Sequence, residues 1–151
     1  MIILDNSVLS AFRRLKLLSN LKKLISSALI SKEVFNEYSN QWQKKIPNWI
    51  KIKQPRGDTI LESSPVSLSI ADLSLIRLAL EHKIPIATDD KPLRQFAKNL
   101  GISIVGSLGL LKSLYQRKII KTREEYLSFL ESLQKDIYIS DELLKWAFEE
   151  S

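Results

Sequence analysis

An α/β fold, a three-layer sandwich with a central parallel sheet flanked by helices, is what this chain predicts, and three observations predict it. Short apolar runs recur along the sequence, each too brief for a helix. Segments with apolar residues at helical spacing separate them. Two of the runs end in carboxylates, at Asp5 and at Asp89-Asp90. Strands that alternate with helices assemble as a parallel sheet with right-handed crossovers, and the carboxyl ends of those strands share one rim where ligands bind. The 151 residues suit one domain over 1–151, with a helical extension at about 123–151.

The elements follow in order. Residues 2–5 read as a buried strand. Ser7 is a plausible N-cap for a helix over 8–15, and Leu17, Leu18, Leu21, Leu24 and Ile25 recur at helical spacing in a second helix. A strand over 28–30 leads to Ser31, which can cap a helix that carries Glu33, Val34, Glu37 and Tyr38 toward Lys45 before Pro47 ends it. Residues 49–53 alternate apolar and basic, as a half-buried edge strand does, and 54–66, with two prolines and a glycine, form the one long loop. Ile70, Leu73, Ile76, Ala79 and Leu80 define the apolar face of a helix over 70–82. A strand over 84–88, a helix over 91–100 closed by Gly101, and a strand over 102–105 come next. Helices over 106–117, 124–133 and 141–149 complete the chain.

Composition narrows the chemistry. Cysteine is absent and His82 is the only histidine, so neither disulfides nor a thiolate metal site is available and zinc chemistry is not expected. The opening residues lack the pattern of a signal peptide, and no apolar run is long enough to span a bilayer, so a cytoplasmic protein is expected. The formal charge is +6, and it is unevenly placed: residues 1–60 hold eleven Lys and Arg against four acids, whereas 124–151 hold two against eight. Basic residues near a carboxylate cluster suit a polyanionic substrate, although a Lys-rich solvated surface has the same composition.

Each candidate acid also has a structural use. Asp5 or Asn6 can start the first helix, Asp72 stands three residues after Ser69 as in a capping box, and Asp90 can cap the helix that Lys91-Pro92 opens. Glu33 and Glu37 favour a helix N-terminus. Together, however, several anions on one rim repel each other unless a cation is present. Hard oxygen donors without cysteine or histidine select Mg²⁺ or Mn²⁺, and phosphodiester hydrolysis by a metal-activated water is the natural use.

The residues also carry a family resemblance. Ile2-Ile3-Leu4-Asp5-Asn6-Ser7-Val8-Leu9, Val34-Phe35-Asn36-Glu37, Ile70-Ala71-Asp72 and Ala87-Thr88-Asp89-Asp90-Lys91-Pro92-Leu93-Arg94 resemble, in order, the acidic motifs of the PIN domain. Phe96-Ala97 to Gly101-Ile102 and Val105-Gly106-Ser107-Leu108-Gly109-Leu110-Leu111 extend that resemblance over nearly the whole chain. It implies a Mg²⁺- or Mn²⁺-dependent endoribonuclease related to the VapC-type toxins of toxin/antitoxin pairs. By position, Asp5, Glu37, Asp72 and Asp90 would be catalytic, with Asp5, Asp72, Asp90 and Asp89 as metal ligands. Ser7 and Thr88 would be supporting hydroxyls. The implied partners are RNA, an antitoxin protein and a second copy of the chain in a homodimer, with no membrane. Asn6 departs from the small or hydroxyl residue more usual after the first acid.

Other classes fit less well. A PIN-like module that binds RNA or protein without cutting keeps the same fold. A phosphoacceptor receiver would place its acidic pair after the first strand. An aspartyl-nucleophile phosphatase wants an acid at the position of Ser7, and no glycine-rich phosphate loop is present. His82 reads as a helix-end residue. Trp42 and Trp49 flank Lys44-Lys45 and Lys51, which would suit base stacking on a single strand, but burial is the commoner use of tryptophan.

Overall fold

In the order of the sequence, the chain lays down β1 Ile2–Leu4, α1 Asn6–Arg14, α2 Leu18–Ile25, β2 Ala28–Ile30, α3 Lys32–Trp42 and β3 Ile50–Ile52. It continues with α4 Ile70–His82, β4 Ile86–Ala87, α5 Lys91–Asn99, β5 Ile104–Val105, α6 Ser107–Gln116, α7 Arg123–Asp136 and α8 Asp141–Phe148. This is a computed structural model that describes residues 1–56 and 68–149. Most of the expected loop, from residue 57 to 66, lies outside the described residues. No helix among the described residues is long and apolar enough to cross a membrane.

The five strands form one all-parallel sheet in the order β3-β2-β1-β4-β5, wrapped by the helices into three layers. Parallel strands covered on both faces are expected to be continuously apolar. Accordingly Ile3, Leu4, Ile30 and Ile86 have no exposed surface. The sequence runs outward from β1 through β2 to β3, then returns to place β4 on the other side of β1. That reversal makes the β1–β4 seam the switch point at which a crevice opens on the carboxyl edge. Ladder bonds carry the seam past the strand ends: the Asp5 N–H donates to the Ala87 carbonyl at 3.0 Å, and the Thr88 N–H to the Val105 carbonyl at 2.9 Å.

Three expectations change. The cap of α1 is Asp5, not Ser7, because the Asp5 side chain reaches the free Asn6 N–H while the Ser7 hydroxyl turns back to Asp5. In α4 the buried residues are Ala71, Ser74, Leu75, Ile76, Leu78 and Ala79, and Ile70 is 77 % exposed. The helix packs on α3 as well as on β1 and β4, so its buried surface is broader than a single stripe and rotated from the predicted one. In β3, Ile50 is buried but Ile52 is 45 % exposed, since an edge strand has a neighbour on one side only.

The C-terminal helices pack on α6. The rings of Tyr115 and Tyr126 stack at 4.4 Å between centroids, and Leu130 and Leu133 of α7 are buried. Arg14 of α1 pairs with Asp136 of α7 at 2.9 Å, a partly exposed ion pair worth about 0–1 kcal/mol.

Candidate active site at the carboxyl edge of the sheet

Asp5 is the centre of the rim. It follows β1 directly, adopts extended backbone and caps α1. Its Oδ1 accepts the Asn6 N–H at 2.7 Å, and its Oδ2 accepts the hydroxyls of Ser7 at 3.1 Å and Thr88 at 2.6 Å. A carboxylate offers about four lone-pair sites, so these bonds leave one open on Oδ1. The residue is only 8 % exposed. Burial pushes its pKa above the ordinary carboxylate range; the Thr88 and Ser7 hydroxyls oppose that shift, and the charge of Asp72 adds to it.

Glu37 and Asp72 face the same centre from two helices. Glu37, on an exposed turn of α3, has its pKa raised by desolvation first and then by the charges of Asp5 and Asp72. Asp72 closes the capping box of α4. Its Oδ2 accepts the Ser69 N–H at 3.0 Å, and its own N–H donates to the Ser69 hydroxyl at 3.0 Å. Capping and charge contact therefore coexist in one side chain, because the box occupies Oδ2 and leaves Oδ1 without a hydrogen bond among the described residues.

The acidic doublet divides. Asp90 caps α5, its Oδ2 accepting the Leu93 N–H at 2.9 Å, and its own N–H donates to the Thr88 hydroxyl at 3.1 Å. Asp89 turns toward α6: Oδ1 accepts the Ser107 N–H at 2.8 Å and Oδ2 accepts the Ser107 hydroxyl, while its N–H donates to Ser7 at 3.3 Å. The N-cap of α6 is Gly106, which has no side chain to offer, so Asp89 caps that helix from another part of the chain. The structure thus joins Asp5, Ser7 and Thr88 by hydrogen bonds and brings Glu37 and Asp72 within electrostatic reach of Asp5. It commits the carboxylates of Asp89 and Asp90 to helix N-termini beside that group.

The donor chemistry fits a hard, hydrated divalent cation. Among the described residues no three His, Cys, Asp or Glu side chains form a ready cage. Mg²⁺ does not need one, since it keeps several waters and takes about one or two protein carboxylates together with substrate phosphate. Asp5 supplies the buried oxygen with an open lone pair, and Glu37 and Asp72 supply the flanking negative charge.

Two residues of the rim had no role in the sequence reading. Ser107 gains one only through Asp89, 18 positions earlier. Arg94 donates weakly from Nη1 to the Thr88 carbonyl at 3.4 Å and lies across Gly106, where a Cβ would come within 2.7 Å of Nη1. Contacts of this kind leave no periodic or spacing signal. Trp42 is not a free stacking platform: the Arg13 and Arg14 guanidiniums stand 5.3 and 5.9 Å from its ring, and its Nε1–H donates to Ser10 at 2.9 Å. Trp49 packs against the core, and His82 is an exposed helix-end residue.

A family model described as a PIN domain matches residues 1–151, the whole chain. No curated protein matches it. Proteins of the matched family are generally nucleases, and those nucleases typically use divalent metals. The full-length match, on a parallel sheet whose switch point lies between β1 and β4, shows that the chain belongs to the PIN-domain family.

Proposed function

We propose that this chain is a Mg²⁺- or Mn²⁺-dependent endoribonuclease that hydrolyses RNA phosphodiester bonds, with the acidic group at Asp5 as its active site. One observation carries the reading: a buried carboxylate with an open lone pair stands in the field of Asp72, and the charges of both raise the cost of ionising Glu37. Either a proton or a bound cation relieves that conflict, and the donor chemistry suits a hard divalent cation.

When bound, a divalent cation supplies positive charge to the phosphate and a nucleophilic water at neutral pH. The chain's own residues do the rest. Asp5 would hold the cation, and the Ser7 and Thr88 hydroxyls fix the position of its Oδ2. Glu37, exposed and raised in pKa, is suited to take a proton from the attacking water and release it to solvent. Asp72 is fixed by the Ser69 box, which keeps its free oxygen directed by backbone rather than by a mobile side chain. Asp90 completes the acidic quartet. Asp89 holds α6 in place beside the site and is the least suited of the acids to contact the metal, since both its oxygens bond Ser107.

RNA as substrate rests on family membership, as does the reading of the protein as a toxin restrained by an antitoxin and acting as a homodimer. The test is cleavage of end-labelled RNA in Mn²⁺, in Mg²⁺ and in chelator, beside Asp5→Asn and Asp72→Asn. Metal-dependent cleavage that both variants lose supports the site; cleavage unchanged in the variants overturns it. A second reading is favoured by the capping roles of Asp89 and Asp90, with no preformed cage among the described residues. In it the fold binds RNA without cutting, and metal-independent RNA affinity without cleavage would establish that reading instead.

A further inference from the structure

Beside the acidic rim lies a cavity of about 840 Å³, bounded by the start of α5, the edge strand β5, α6, the 137–139 segment and α8. Its charged residues are Asp89, Lys91 and Arg94; apolar and aromatic side chains and two glycines form the rest. We propose that this cavity is a nucleotide subsite of the nuclease: it takes the base of a single-stranded RNA nucleotide next to the cleaved bond, stacked on Trp146, with the flanking phosphate on Arg94 and Lys91. The proposal rests on the nuclease reading and names how that site selects its substrate.

The aromatic wall is held in place by buried polar groups. Lys112, only 6 % exposed, places its ammonium 4.0 Å from the centroid of the Trp146 ring and donates to the Trp146 carbonyl at 2.6 Å. The buried Tyr126 hydroxyl donates to the next carbonyl, Ala147, at 2.8 Å. Burying an ammonium against a neutral carbonyl and a ring is costly compared with an apolar residue in the same place. Its structural effect is to fix the last turn of α8 with Trp146 41 % exposed and lining the cavity. A stacking platform needs that combination of rigidity and exposure.

The two glycines keep the space open. Neither Gly106 nor Gly109 has a positive φ, so backbone conformation does not demand glycine at either position. Gly109 lies within α6, where alanine would favour the helix. A Cβ there would meet Val105 Cγ2 at 3.1 Å and stand 4.0 Å from the Trp146 ring. At Gly106 it would come within 2.7 Å of Arg94 Nη1 and 3.1 Å of Asp89 Oδ1. Side chains at these positions would crowd the cavity wall and the pass that joins the cavity to the rim.

Charge and continuity select the occupant. Two cations, Lys91 and Arg94, face one carboxylate in the lining, and the Asp89 oxygens are turned to the Ser107 N–H and hydroxyl, so the cavity keeps a cationic excess. Arg94 also contacts the carbonyl of Thr88, whose hydroxyl bonds Asp5, so a strand that leaves the Asp5 group toward β5 meets Arg94 first and the cavity next. Cations that track a backbone beside an exposed aromatic ring are how single strands are bound without sequence readout. A small-molecule pocket spans roughly 300–1,000 Å³, a range that accommodates one nucleotide.

The test uses the full chain and single-stranded RNAs in which each nucleotide near the cleaved bond is made abasic in turn. Trp146→Ala should raise KM on the order of tenfold, with the loss in KM rather than kcat, and Trp146→Phe should recover most of it. The abasic substrate that loses the same factor with the wild type should lose nothing further with Trp146→Ala. Arg94→Gln, which leaves α8 untouched, should weaken binding and reduce the salt dependence by about one counterion. Wild-type cleavage with KM unchanged in both variants overturns the subsite and leaves the nuclease reading standing. If the wild type cuts nothing, the nuclease reading fails, and RNA affinity in chelator decides the cavity: weaker binding by both variants supports an RNA seat, equal binding overturns it. A dimer that Trp146→Ala dissolves while RNA affinity is unchanged overturns the proposal in favour of a second copy of the chain.

Discussion

The Thr88 hydroxyl donates to the Asp5 carboxylate at 2.6 Å across the β1–β4 seam, between residues 83 positions apart. The same hydroxyl accepts the Asp90 N–H at 3.1 Å, so one oxygen ties the central acid to the start of α5. Thr88→Val keeps the shape and removes both bonds. It should destabilise the fold by about 1–3 kcal/mol in urea titration, because a buried carboxylate oxygen and a backbone N–H lose their partner. Metal-dependent activity should also move to higher pH, since the Thr88 bond is the largest influence holding the Asp5 pKa down.

Asp5 itself should make stability depend on pH and metal together. Its pKa is raised in the folded state above the ordinary 3.8, chiefly by burial, so the folded chain holds that proton more tightly than the unfolded one. Stability from this group is therefore full below the unfolded value and is lost as pH rises through the folded one. In chelator, the Tm of wild type should fall relative to Asp5→Asn across that window. Mn²⁺ should restore it in wild type only. Equal metal-induced shifts of Tm in both proteins would remove Asp5 from the metal site.

The doublet can be separated by substitutions that respect capping. Asp90→Ser keeps an N-cap side chain for α5 but deletes the charge. If Asp90 acts in the site, Tm should change little while cleavage falls more than tenfold. Asp89→Ala deletes the cap of α6 and should cost roughly 0.5–2 kcal/mol, with a strongly non-additive partner in Ser107→Ala. Thermal melts and cleavage rates of wild type, Asp90→Ser, Asp89→Ala, Ser107→Ala and the Asp89→Ala/Ser107→Ala double variant distinguish the two acids.

At the other end of the pH scale Tyr126 is the group to watch. Burial first, and then Tyr115, push its pKa up to about 12, so the folded state holds the phenolic proton beyond the ordinary 10.0. Stability from this group persists below the ordinary value and is lost as pH rises through about 12. Tyr126→Phe should remove that alkaline loss and cost about 1 kcal/mol at neutral pH through the bond to Ala147. Alkaline melts followed by circular dichroism check both.

Much of the architecture was legible because it rests on local rules. The helix over 70–82 has the predicted bounds, Ser31 and Asp90 cap the helices expected of them, and Gly101 closes α5 with φ +77. Misjudged features needed a neighbour to be seen. The buried surface of α4 is set by α3 and two strands at once, and Ile52 is exposed because nothing covers the outer edge of β3.

By itself the sequence determined the alternation of strands and helices, the parallel sheet and the placement of Asp5 and the doublet at strand ends, because apolar period and capping chemistry act over a few residues. Tertiary structure alone decided which acids share a field and which serve as caps. Asp72 acts through space on Asp5, and both act on Glu37, while Asp89 is directed to Ser107 because the cap of α6 is a glycine with no side chain of its own. Charge interactions and hydrogen bonds depend on distance in space, and distance between remote residues exists only once the sheet has brought β1 and β4 together.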